Sequence, residues 1–145
     1  MQEHRVDSAR LKATLIGVYN ADGGIVGEVT YILGHLIGVL SCSLCDISHS
    51  PVKMKASFKA LERELADAHG IAFKMIHRNE RNEREQQASV GHEPCVLVEY
   101  PDGSISMFLD SVELKAVAGK VSSFRKLVFS RLDLYGLITS HQAGQ

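Results

Sequence analysis

The stretch over residues 94–109 constrains the fold more than any other. Pro94-Cys95-Val96-Leu97-Val98-Glu99-Tyr100 is an apolar run, Pro101-Asp102-Gly103 is a turn, and on the return Ile105, Met107 and Leu109 alternate with polar neighbours. That pattern predicts an antiparallel hairpin. An isolated hairpin is marginally stable in water, so other elements must cover it. The chain can supply them: it has 145 residues, of which 45% are hydrophobic and 23% charged. This is the balance of one globular domain with a real core, and we expect a single domain over 1–145.

Upstream, Leu15, Ile16, Val18 and Tyr19 make a short apolar run within residues 11–19 that reads as a first strand. It stops at the turn cluster Asn20-Ala21-Asp22-Gly23-Gly24. A helix is expected to follow, capped by Asp22, because Ile25, Val29, Ile32, Leu33, Leu36 and Ile37 recur at helical spacing. The 25–40 stretch is shorter than the ~20 apolar residues of a membrane span and carries Glu28 and His35, so it reads as a buried helix. Its Gly34 and Gly38 then serve close packing, and no membrane partner is implied.

Residues 57–69 read as an amphipathic helix with Phe58, Leu61 and Leu65 on one face, closed by Gly70. Residues 71–77, with Ile71, Phe73, Met75 and Ile76, are strand-like. From 78 to 87 the charges alternate in sign through Arg78, Glu80, Arg81, Glu83, Arg84 and Glu85, which predicts a solvated loop or short helix without an apolar face. Residues 121–135 close the chain as a helix, striped by Phe124, Leu127, Val128, Leu132 and Leu134.

Charge narrows the partners. The 16 basic residues nearly cancel the 17 acidic ones, so the chain has no global positive field to draw it to nucleic acid. Residues 1–12 contain Glu3, His4, Arg5, Asp7, Arg10 and Lys12 without an apolar stretch, unlike an export signal, and the expectation is a cytoplasmic protein. Three cysteines are an odd number and too few for a disulfide-dense secreted scaffold.

Two of those cysteines carry the chemistry. In Cys42-Ser43-Leu44-Cys45, followed by Asp46 and His49, the spacing lets both sulfurs meet. One use is a reversible disulfide, in which one thiol must ionise readily to act as nucleophile; His49, when protonated, or a nearby helix start such as a turn beginning at Pro51, would favour the thiolate. The other use is a shared zinc, copper or iron ion held by Cys42, Cys45 and His49, with Cys95 or His35 completing a tetrahedron and Asp46 orienting His49. The plain alternative is that all three cysteines are small buried hydrophobes, the simplest account of Cys95 inside a strand. The chain has no Walker phosphate loop: Gly119-Lys120 is followed by Val121 and lacks the upstream glycine.

The order strand, helix, helix, strand, hairpin, helix, with Pro94 opening the first hairpin strand, resembles a thioredoxin-like domain. The resemblance implies an α/β three-layer sandwich, with a mixed sheet of about four strands and helices on both faces. The segment from Gly91 to Val98 resembles the stretch in which thioredoxins set a cis proline against the active-site cysteines, which gives that role to Pro94. One departure stands out. Thioredoxins carry the cysteine pair directly after the first strand, where this chain has Ala21-Asp22-Gly23-Gly24, and here the pair comes one helix later. For Cys42 and Cys45 to approach Pro94, the loop after that helix must return over the same end of the sheet.

Tyr19-Asn20-Ala21-Asp22-Gly23-Gly24, Gly27-Glu28, Tyr31, the segment from Cys42 to His49 and Pro94-Cys95-Val96-Leu97 are similar to a family of small uncharacterised bacterial proteins, over residues 15–110. The Cys-x-Leu-Cys element is that family's signature, while the position of His49 also holds other residues, tyrosine among them. The family brings no activity with it. The leading expectation is a thiol and disulfide exchange protein without an organic cofactor, using Cys42, Cys45 and Pro94 on a protein or small-molecule thiol. A metal-binding module and a protein-interaction domain are the alternatives.

Overall fold

The structure, a computed structural model, describes residues 11–23, 42–49 and 54–138. Four strands form one mixed sheet in the order β2-β1-β3-β4. β1 (Ala13–Val18) runs parallel to β2 (Ile71–Ile76) and antiparallel to β3 (Cys95–Glu99), and β3 pairs antiparallel with β4 (Ile105–Leu109). The two interior strands, β1 and β3, are the most continuously apolar, as strands buried on both faces must be. The hairpin expected over 94–109 is present, and its turn is held by Asp102 Oδ1, which accepts from Ser104 N at 2.9 Å.

Alternation along the strands divides the interior into two cores. Ala13, Leu15 and Tyr19 of the β1 segment and Val96 and Val98 of β3 face the larger core. Ile16, Val18, Ile76, Cys95 and Leu97 face the smaller one. Among the described residues there are five α-helices: α1 (Ser43–Ser48), α2 (Ala56–His69), α3 (Glu83–Ser89), α4 (Ser111–Val117) and α5 (Val121–Leu134). The larger core is filled by Leu44 and Ile47 of α1, Phe58, Leu61 and Leu65 of α2, Leu114 of α4, and Phe124, Val128 and Leu132 of α5. Ala88 of α3 packs against the smaller core, so helices cover both faces of the sheet. This is an α/β sandwich consistent with the thioredoxin-like layout.

Local sequence explains the boundaries. Gly70 ends α2 at φ 68°, a left-handed conformation that favours glycine, and its N–H reaches back to Ala66 O. Asp110 caps α4 and Glu113 returns the bond, a capping box that marks a helix absent from the sequence reading. The helix expected over 25–40, with His35, Gly34 and Gly38, lies outside the described residues. Among those described, no helix is long and apolar enough to cross a membrane.

The charged stretch after β2 is the expected short helix, with some polar groups buried beneath it. Residues 78–80 form a short 3-10 turn and α3 follows with a capping box between Asn82 and Glu85; most of the segment faces solvent, as expected, but part of it turns inward. Glu85 is 2% exposed and accepts from Lys74 Nζ at 2.7 Å. Ser89 is buried, and Arg81 reaches both Ser89 Oγ at 3.0 Å and Glu93 Oε2 at 2.6 Å. Charges of both signs lie against the sheet here because they neutralise one another, and periodicity of apolar residues does not detect such a face.

Candidate dithiol site

The site is built at the end of the sheet where β1 finishes. Val18, the last residue of β1, pairs with Cys95, the first of β3, so the chain leaving β1 and the chain entering β3 meet at the same end. The Glu93-Pro94 peptide bond is cis, and Pro94 leads into the interior strand β3. Glu93 is anchored by Arg81, and both side chains are nearly buried.

Cys42 sits beside this end. Its Sγ accepts from the backbone N–H of Asn20, two residues past β1, at 3.3 Å. It also caps α1, accepting from Cys45 N at 3.3 Å. Cys42 and Cys45 lie one helical turn apart, and their sulfurs are at disulfide-bonding distance with the Cα atoms 5.2 Å apart. The helix that begins at the pair is α1 itself rather than the later α2; residues 50–53, where a turn from Pro51 is expected, lie outside the described ones. The returning segment that the thioredoxin analogy demanded is present. The pair lies against the exit of β1.

α1 is held there by its buried side. Leu44 and Ile47 are fully buried, and Leu44 packs over Gly17 of β1, where an added Cβ would lie 3.2 Å from Leu44 Cδ2 and 2.6 Å from Met75 Sδ. The absent side chain at Gly17 gives α1 room to approach the strand. Behind the pair, Tyr19 OH is hydrogen-bonded to Ser48 Oγ at 2.8 Å, and Ser48 Oγ to His49 Nδ1 at 2.7 Å. Tyr19 is pushed up to about 12 by burial, with the Ser48 hydrogen bond opposing and the charge of Glu62 adding to the rise. Its hydroxyl therefore stays protonated at neutral pH and ties α1 to β1 as a neutral bridge. The Tyr19 ring also lies against His77, with centroids 5.1 Å apart.

The remaining candidates divide. His49 caps α1 at its C-terminal end, its backbone N–H donating to Cys45 O, with its ring turned to Ser48 and Tyr19. Cys95 does not join the pair: Cys42 belongs to the larger core and Cys95 to the smaller one, on the opposite face of the sheet. Alternation along β3 places it there, next to Val96 in sequence but facing the other way. Burial pushes the Cys95 thiol up to about 12, with the charge of Glu93 adding to the rise. Cys95 as a third redox thiol or as a ligand shared with Cys42 is therefore at odds with the strand geometry. Among the described residues no group of three or more His, Cys, Asp and Glu side chains converges on a common point that could hold a metal ion.

Tyr19, Ser48 and Arg81 are the supports that the sequence reading passed over. Tyr19 was accessible in principle, since it shares the alternation of Leu15 on β1. The bonds of Ser48 to Tyr19, 29 residues away, and of Arg81 to Glu93, 12 residues away, have no local signal.

Comparison with protein-family models, curated proteins and solved structures finds no match to this chain.

Proposed function

We propose that the protein is a thiol and disulfide redox protein that cycles Cys42 and Cys45 between dithiol and disulfide, exchanging with a protein or small-molecule thiol. One observation carries the reading: the two sulfurs are at bonding distance at the exit of an interior strand, with two backbone N–H groups directed at the Cys42 sulfur. A purely structural cross-link does not require such donors, whereas a thiolate released on reduction does. The cis Pro94 at the same end of the sheet accords with the thioredoxin analogy. The unpaired, buried Cys95 is compatible with a reducing compartment such as the cytoplasm.

The test is reduction of insulin and exchange with glutathione disulfide by the purified protein. Activity that disappears in Cys42→Ser and in Cys45→Ser supports the reading. Full activity in the double variant would sink it. Metal content of protein purified without chelator or histidine tag is measured alongside, because near-stoichiometric zinc, copper or iron would move the pair to the metal-binding alternative.

A further inference from the structure

We infer that the two thiols have fixed and unequal roles: Cys45 is the sulfur that exchanges with substrate, and Cys42 is the internal leaving and resolving thiol. The inference rests on the redox reading above and adds the direction in which the site is used. Attack on a disulfide needs access to one sulfur and a stabilised thiolate at the other. Cys42 is 1% exposed and belongs to the larger core with Leu44, Ile47 and Tyr19. Cys45 is only half-buried and packs at the margin of that core. An incoming thiolate therefore meets Cys45 first.

The leaving side is equally asymmetric. Asn20 N and Cys45 N both donate to the Cys42 sulfur at 3.3 Å. When the disulfide opens, these N–H groups are already aimed at the atom that takes the charge, so a buried thiolate is left with donors in place. They come from two separate elements, the exit of β1 and the first turn of α1. The docking of α1 on β1, through Leu44 over Gly17 and Tyr19 to Ser48, holds both in position.

In the oxidising direction a substrate thiolate attacks Cys45 Sγ. A substrate-to-Cys45 disulfide forms, the Cys42-to-Cys45 bond breaks, and its electron pair stays on Cys42 as thiolate. A second substrate thiolate then attacks the substrate sulfur of the mixed disulfide and expels Cys45 thiolate. Two electrons pass from the substrate dithiol to the protein, and the protons lost by the substrate thiols are matched by those the protein thiolates can take up. In the reducing direction Cys45 thiolate attacks the substrate disulfide and expels one substrate thiolate, and Cys42 thiolate then attacks Cys45 Sγ and expels the other.

The experiment uses glutathione disulfide as probe. Reduced Cys42→Ser and Cys45→Ser are each mixed with it at neutral pH, and the site of the mixed disulfide is mapped by mass spectrometry. The expected result is a glutathione adduct on Cys45 of Cys42→Ser, formed at least about tenfold faster than any adduct on Cys42 of Cys45→Ser. Should a variant misfold, the reduced wild-type protein answers the same question: limiting iodoacetamide should label Cys45 before Cys42. Equal or faster reaction at Cys42 in either format overturns the assignment. The wild-type exchange assay keeps the two failures apart, since an inactive wild type defeats the redox reading, whereas an active one with the order reversed defeats only this inference.

Discussion

Replacing Arg81 by Met should be among the most damaging single changes near the site, although Arg81 touches neither sulfur. Its guanidinium lies 2.6 Å from Glu93 Oε2, and the two side chains are only 8% and 11% exposed. At an effective dielectric of about 20 the attraction over that distance is about 6 kcal/mol, much of it offset by the cost of taking both charges out of water. Removing one partner leaves the other's desolvation uncompensated, and Arg81 also donates to Ser89 Oγ and to the backbone carbonyl of Arg78. We expect Arg81→Met to cost about 3 kcal/mol, at the lower end for a buried pair because neither side chain is wholly enclosed. Glu93→Gln in the Arg81→Met background should restore about 2 kcal/mol of that loss by removing the stranded charge. Urea denaturation of the wild type, both single variants and the double variant gives the coupling directly. A coupling below about 0.5 kcal/mol would place the pair among ordinary surface ion pairs and refute the reasoning. The pH profile gives a second check. Burial opposes the charge on Glu93, but hydrogen bonds from backbone N–H groups and from Arg81 outweigh it and hold the carboxyl below its ordinary value of 4.5. A depressed carboxylate contributes stability that is present above 4.5 and is lost as pH falls through the folded-state value. Glu93→Gln should therefore flatten the stability profile on the acid side of 4.5 and leave the neutral region parallel to wild type.

Two further outcomes probe the sheet around the pair. Cys95, with its thiol pushed up to about 12 by burial and by the charge of Glu93, should resist iodoacetamide in the native protein at neutral pH and react on unfolding in urea; native labelling at the rate of Cys45 would contradict its place in the smaller core. Tyr19→Phe removes the hydroxyl that bonds Ser48 and should cost about 1 kcal/mol in the same urea titration, while unchanged stability would show that this bridge does not hold α1 to β1.

The hairpin, α2, β2 and α5 were legible because each pairs a clear period with a stop signal, such as the Asp102-Gly103 turn or the left-handed Gly70. α4 was missed because only two of its apolar residues, Leu114 and Val117, are buried, and its capping box is the clearer signal. The buried polar groups around α3 have a different cause: Glu85 of α3 and Arg81 just ahead of it are acceptable there because Lys74 and Glu93 meet them, which no apolar period announces. The candidate site shows the same limit. The spacing of Cys42 and Cys45 shows that two sulfurs could meet, but the contacts that surround them are long-range. The Asn20 N–H that reaches Cys42 is twenty-two residues away in the chain, and the strand that separates Cys95 from the pair is assigned a face only by its neighbours. This is why the apparent displacement of the cysteine pair along the sequence misleads. The exchange proposed above would use an N–H at the end of β1 and a second N–H in the first turn of α1, both aimed at the Cys42 sulfur. The fold brings these groups together by returning α1 to β1. The small residue at Gly17 and the neutral hydroxyl of Tyr19 are the local means of docking it.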